Sequence, residues 1–318
     1  MELPVYLFLG FLESGKTTFI QDTLQEEYFA DGQKTLLIAC EEGEEEYEDS
    51  ILEEANCVLE VVDEEEEFTK DLLLQLLEKH KPERVIIEYN GMWNVADGID
   101  TIQDTNTLEL YQTITLVDST TFLIYMNNMR SLFMEMFRYG EMAILNRCTP
   151  DMELGSFRRL MRSGNRRLQV MFEMAEGYDD VEVEEELPYD LDAPKIELED
   201  DDFGIWFMDA MDYPERYDGK EIHMKVLVCK PKDMPKGMII PGRFAMTCCA
   251  DDIQFLGMLC KMEHVKSSTM KNVKNRDWIM LTAKIACEYQ EEYEGKGPVL
   301  YATRIEKAEK PEDDLIYF

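Results

Sequence analysis

Gly10-Phe11-Leu12-Glu13-Ser14-Gly15-Lys16-Thr17 has the spacing G-x-x-x-x-G-K-T, that of a turn that wraps phosphate. Gly10 and Gly15 let the backbone curl so that its N–H groups line a concave anion nest. A helix beginning near Gly15 adds the positive end of its dipole to that nest. On this reading the backbone from Glu13 through Ser14 and Gly15 to Thr18 bears the phosphates. Lys16 reaches the terminal ones, and the Thr17 hydroxyl coordinates Mg²⁺. The apolar run Val5–Leu9 and the helical pattern Phe19–Glu27 supply the strand and helix that such a turn joins.

Carboxylates come next. Arg84 to Glu88 is an apolar run ending in an acid, followed by Tyr89-Asn90-Gly91. An acid there emerges at the carboxyl edge of a buried strand, beside the phosphate turn, so Glu88 would hold a Mg²⁺-bound water. A second acidic stretch, Glu41 to Glu48, follows the strand pattern Gln33–Ala39. Most of its carboxylates read as a solvated loop, as does Asp63–Glu67.

The elements that must position these groups alternate. Strand patterns at 5–9, 33–39, 57–62, 83–89, 112–118, 142–146 and 168–172 are separated by helical ones, including 68–80, a long one over 120–139, and 152–162. Such alternation predicts an α/β, doubly wound, mostly parallel sheet with the turn at its carboxyl edge. We read residues 1–175 as this nucleotide-binding domain. Residues 176–202 are acidic, broken by Pro188 and Pro194, and read as a linker or peripheral strand. Residues 203–318 open with a short helix, 203–211, and continue with period-two runs at 221–229, 243–249, 253–262, 278–289 and 299–305. That pattern predicts a smaller antiparallel β domain, an OB-like barrel.

Composition narrows the partners. Lys+Arg 32 against Asp+Glu 68 gives a formal net charge of -36 over 318 residues. Such a surface repels phosphate backbones and anionic lipid, and so speaks against nucleic acid and membrane surfaces. Cations or a basic partner suit it better. No run approaches the length of a membrane span, so the chain is not expected to be embedded, and a cytoplasmic location follows. The eight cysteines are then expected as reduced thiols. Most of the 21 methionines lie among other apolar residues and are core candidates. His80 suits a helix C-terminus, and His223 a structural strand position. No motif indicates oligomeric state.

The order GFLESGKTT, CEEGEEE, VIIEYNG, LVDST, ILNRC and SGNRRLQV resembles that of the CobW-like GTPases, metallochaperones related to the nickel-maturation GTPases. The resemblance runs from about Pro4 to Phe172. It implies GTP and Mg²⁺ as cofactors, slow hydrolysis, and nucleotide-gated metal handling, most plausibly of zinc. It also implies a metalloprotein client. By the same resemblance Glu42 and Glu44 match the acidic switch after the second strand and join Lys16 as candidates for catalysis. Glu88 and Gly91 match the E-x-x-G switch, and Asn146 and Arg147 the start of the guanine motif N-K-x-D.

Three positions depart from that pattern. Thr149 stands where the guanine-binding Asp belongs, and Asp151 lies two residues beyond it, which leaves ATP open as well as GTP. Cys57 alone remains of the C-x-C-C metal motif. Glu13 puts a carboxylate into the phosphate turn, aimed either at the phosphates or away from them.

In the second half YDGKEI, GRFAMTCCADD, the strand at Trp278 and GPVLYATRIEK resemble the YcgQ-like bacterial family, whose members accompany a permease. A permease-associated partner is therefore a further expectation. Cys248, Cys249 and Asp251 form either a metal site, which a bulge would have to assemble, or one core and one loop-facing thiol. Beside the GTPase stand two rivals: a scaffold that has lost turnover and docks a basic partner, and an ATP-using protein.

Overall fold

A computed structural model describes residues 3–178, 183, 187–232, 234–246, 252–266, 269, 272–311 and 313–317. Its contacts divide the chain into two compact units, Met1–Val183 and Glu184–Phe318.

The first unit is a seven-stranded sheet, with β1 (Leu3–Leu9), β2 (Thr35–Ala39), β3 (Cys57–Val61), β4 (Arg84–Glu88), β5 (Leu108–Asp118), β6 (Met142–Cys148) and β7 (Gln169–Met174) in the order β3-β2-β4-β1-β5-β6-β7. Every pairing is parallel. β2 and β4 are buried along their whole length, as strands covered on both faces must be. One side packs Phe8, Leu37, Ile86 and Leu116 against Ile20 and Leu24 of α1 (Lys16–Gln25). The other carries an aromatic cluster around Phe122, Phe133, Phe137 and Phe157. The expected α/β architecture is present.

Local differences have local causes. The long helix expected over 120–139 is two, α5 (Phe122–Asn128) and α6 (Arg130–Tyr139), parted at Met129, whose φ is -134°. Asn127 and Asn128 are poor helix formers, and Asn128 Nδ2 donates to the Ile124 carbonyl instead. Helix α3 (Lys70–His80) begins after Thr69, whose hydroxyl accepts the Leu72 N–H at 3.3 Å. Two helices went unread: α2 (Asp49–Glu54), with Leu52 alone buried, and α4 (Val95–Asp104), whose buried face of Val95, Ile99 and Ile102 is interrupted by Gly98. A Cβ at Gly98 would meet the Tyr89 hydroxyl at 2.4 Å, so only glycine lets that ring lie there. The helix expected over 152–162 is α7 (Leu154–Gly164), shifted by two residues.

The second unit contains β8 (Lys195–Glu197), α8 (Phe203–Asp212), β9 (Glu221–Cys229), β10 (Met238–Met246), β11 (Ile253–Gly257), β12 (Cys260–Lys261), β13 (Trp278–Gln290), β14 (Gly295–Lys307) and β15 (Leu315–Tyr317). β9 pairs with β10 and β13, β13 with β14, β14 with β12, and β12 with β10, which closes a ring. The barrel is thus present, but its sheet is mixed rather than purely antiparallel. β12–β14, β8–β9 and β10–β15 are parallel pairs, made by chain crossovers that residue alternation does not record. The run expected over 253–262 is split between β11 and β12, where the Met258 N–H turns to the Pro241 carbonyl. Alternation in β9 sends Ile222, Met224, Val226 and Val228 into a core shared with Trp206 of α8.

Arg243 on β10 is buried in this unit. It donates to Asp200 Oδ1 at 3.0 Å and to the Asp313 carbonyl at 3.1 Å, with its guanidinium 5.1 Å from the Trp278 ring. Arg243→Ala removes two charge-assisted bonds and the stem's packing, and should cost the unit about 2 kcal/mol, since the partly exposed Asp200 keeps Lys225. Urea unfolding followed by tryptophan fluorescence reads this, because Trp206 and Trp278 both lie in the unit. A change below about 0.5 kcal/mol would contradict it.

Candidate nucleotide site

The phosphate turn is built from two glycines that nothing else can replace. Gly10 has φ +142°, and a Cβ there would meet the Leu116 carbonyl oxygen at 2.4 Å. Gly15, with φ +92°, caps α1 in the left-handed region. A third close approach follows β4: a Cβ on Gly91 would lie 2.4 Å from the Gly10 oxygen and 2.8 Å from Phe11 Cα. The segment after β4 and the turn after β1 therefore touch backbone to backbone, which gives the E-x-x-G glycine a steric reason. The register places Glu88 opposite Phe8 of β1 and Ala39 of β2, so the ends of all three strands meet at one edge.

Around that edge Gly15, Lys16, Thr17 and Thr18 line a cleft of about 230 Å³ together with Glu13, Glu41, Glu44 and Glu88. Lys16 Nζ donates to the carbonyls of Gly10 at 2.9 Å and Phe11 at 3.0 Å, and is ion-paired with Glu41. The Thr17 hydroxyl donates to Glu88 Oε1 at 2.9 Å, and the Tyr47 hydroxyl donates to Glu88 Oε2. Burial pushes the Glu88 carboxyl above the usual carboxylate range, while Tyr47, Lys16 and Thr17 pull it back down.

The far wall comes from β6. Asn146 Nδ2 donates to the Ser14 carbonyl at 2.7 Å. Arg147, with φ +55°, reaches the Glu13 carbonyl at 3.1 Å and pairs with Asp118 at the end of β5. Asn146 Oδ1 and Ser14 Oγ are buried without a hydrogen-bond partner among the described residues, as groups awaiting a polar ligand would be. Asp151 lies in solvent, where the Thr149 side chain hydrogen-bonds it and lowers its carboxyl pKa.

Gly10, Glu13, Ser14, Gly15, Lys16, Thr17, Thr18, Glu88, Gly91, Asn146 and Arg147 converge on the phosphate turn. Glu13 is exposed, and its Oε1 accepts the Glu44 N–H at 2.8 Å. Glu44 lines the cleft, whereas Glu42 is exposed and does not. Cys248, Cys249 and Asp251 lie outside the described residues, and among the described ones no group of three or more His, Cys, Asp or Glu side chains could hold a metal. Cys57 is buried and its thiol is pushed up to about 12 by desolvation, which makes it a core residue. His80 contacts Glu60 at 2.5 Å, and His223, in the second unit, the Thr282 hydroxyl at 2.8 Å.

Three residues in contact with the site escaped the sequence reading: Glu41 on Lys16, Tyr47 on Glu88 and Asp118 on Arg147. Glu41 was assigned to the solvated loop, although its place just past β2 at the sheet's carboxyl edge was the available signal. Tyr47 is the one aromatic residue in an acidic run. For Mg²⁺ the oxygen donors fit, since the Thr17 hydroxyl and the Glu88 carboxylate meet beside the nest.

Comparison with known proteins agrees with this geometry. Residues 4–171 match the family CobW/HypB/UreG, nucleotide-binding domain, and residues 174–318 match the DUF1980 C-terminal domain. The UPF0703 protein YcgQ of Bacillus subtilis (strain 168) is 27% identical over 123 residues, 39% of this chain and 41% of that protein. The chain thus matches only about two fifths of that relative. Among solved structures, Zn(II)-bound YjiA GTPase from E. coli is 18% identical, with a TM-score of 0.42, covering 76% of this chain and 86% of that one. Hydrogenase maturation factor HypB from Archaeoglobus fulgidus is 14% identical, with a TM-score of 0.39, covering 54% and 81%. No helix among the described residues is long and apolar enough to cross a membrane. By the phosphate turn, the acid-ended β4 and the match over residues 4–171, the chain belongs to the CobW/HypB/UreG nucleotide-binding family.

Proposed function

We propose that the chain is a GTP-binding switch with slow hydrolysis, whose nucleotide state governs the handling of a metal, zinc in the first instance. The observation that carries it is the convergence of Lys16, Thr17 and Glu88 on one cleft with the acidic loop after β2. Lys16 and the turn's N–H groups would hold the phosphates, and Thr17 with Glu88 would hold Mg²⁺, which supplies charge neutralisation between the terminal phosphates. Asn146 and Arg147 would flank the base. The metal half rests on family membership, and its partner would be a metalloprotein client or a permease-associated protein.

One observation favours a second reading, in which ATP serves as well as GTP. Thr149 stands at the base-reading position of the guanine motif, and Asp151 lies two residues beyond it, in solvent. Competition of ATP against bound GTP separates the two. For the metal half, zinc affinity of the full chain should differ by at least about fivefold between its GDP form and its form with a non-hydrolysable GTP analogue. Equal affinities would overturn the coupling.

A further inference from the structure

The three N–H donors of the Lys16 ammonium are all in use. Two go to the Gly10 and Phe11 carbonyls, at 2.9 and 3.0 Å, and the third faces the Glu41 carboxylate. The pair is shielded, with side chains 2% and 9% exposed. A phosphate can therefore engage Lys16 only by replacing one of these acceptors. Glu41 is the anionic one, and it sits on a loop rather than on the turn itself.

We infer that Glu41 is a built-in competitor of the nucleotide: its carboxylate occupies the Lys16 position that a phosphate needs, and phosphate entry expels it and unfastens the loop 41–48. The inference rests on the nucleotide reading given above and adds a regulator to that site. The loop is laced to the nucleotide machinery at further points. Glu44 N–H donates to Glu13 Oε1 at 2.8 Å, Glu48 N–H to Gln21 Oε1 at 2.7 Å, and Tyr47 OH to Glu88. Gly43 lies so close that a Cβ would be 2.9 Å from Glu13 Oε1. Glu13, the unusual acid of the turn, thereby serves as a clasp for the loop.

Electrostatics gives the exchange its direction. With Glu41 on Lys16 the cleft carries the further carboxylates Glu13, Glu44, Glu45 and Glu88. A phosphate entering beside a seated Glu41 would add like charge to a confined, partly desolvated space, so both anions cannot share one ammonium. Once expelled, Glu41 joins the exposed Glu42, Glu44, Glu45 and Glu46 in solvent. Nucleotide binding is then read out as release of an acidic loop.

The test uses the full-length chain and a fluorescent GDP analogue without Mg²⁺, so that any role of Glu41 toward a metal does not enter. Glu41→Gln keeps the shape and removes the charge, and it should bind GDP at least about tenfold more tightly than wild type. Glu46→Gln removes an equal charge from the same loop away from Lys16, and should stay within about twofold. Unchanged or weaker binding by Glu41→Gln, with wild type binding, overturns the competitor and leaves the nucleotide reading standing. No binding by either chain, both folded by circular dichroism, overturns both. Hydrogen exchange on wild type needs no substitution: saturating GDP should speed exchange in 41–48, and slower exchange there would overturn the release.

Discussion

Lys16→Ala is expected to lower affinity for GTP at least about a hundredfold, roughly 2.7 kcal/mol. The side chain is the ammonium at the bottom of the nest, and its loss leaves five cleft-lining carboxylates, Glu13, Glu41, Glu44, Glu45 and Glu88, around the incoming phosphates. Equilibrium titration with a fluorescent analogue in Mg²⁺ measures it. Stability should fall less than affinity, because Glu41 sits on a loop and can turn to water once its partner is gone. The two substitutions are also coupled. In the Lys16→Ala background the gain expected for Glu41→Gln should vanish, since competition for Lys16 no longer exists. Wild-type affinity in Lys16→Ala would mean that the phosphates sit elsewhere.

Gly91→Ala is the second large effect. The added methyl would lie 2.4 Å from the Gly10 oxygen and 2.8 Å from Phe11 Cα, and both are backbone atoms with no rotamer to escape into. Gly10 is itself wedged against the Leu116 carbonyl, so the strain passes into the phosphate turn. Overpacking of this kind costs roughly 2 kcal/mol, and a displaced nest should lose at least about tenfold in nucleotide affinity. Thermal unfolding and the same titration check it. Gly295→Ala is the matched control, because its nearest neighbour would be 3.9 Å away and its φ is not positive. If Gly91→Ala behaves like that control, the contact between the two segments does not matter to the site.

Much of the first unit was legible in the sequence because its signals are local. G-x-x-x-x-G-K-T fixes the turn, and an unbroken apolar run closed by an acid marks β4 and Glu88. What escaped depends on register and on three-dimensional company. Glu41 sits among acids that look alike in sequence, and only the pairing of Ala39 with Glu88 brings the residues just after β2 over Lys16. Tyr47 is read as functional only once its hydroxyl is seen on Glu88. Helix α4 hid because Gly98 interrupts it, and that glycine answers to Tyr89, which belongs to another segment. In the second unit alternation revealed strands and the barrel, but not the parallel pairs, since direction is set by connections rather than by residue pattern.

The central claim, that this cleft holds a nucleotide and its metal, is tested most directly by calorimetric titration of the full chain with GTP, with and without Mg²⁺. The account predicts one site per chain, tighter with Mg²⁺ than without it, and absent from Lys16→Ala. A folded wild-type chain that takes up no GTP at millimolar concentration, with or without Mg²⁺, would contradict it.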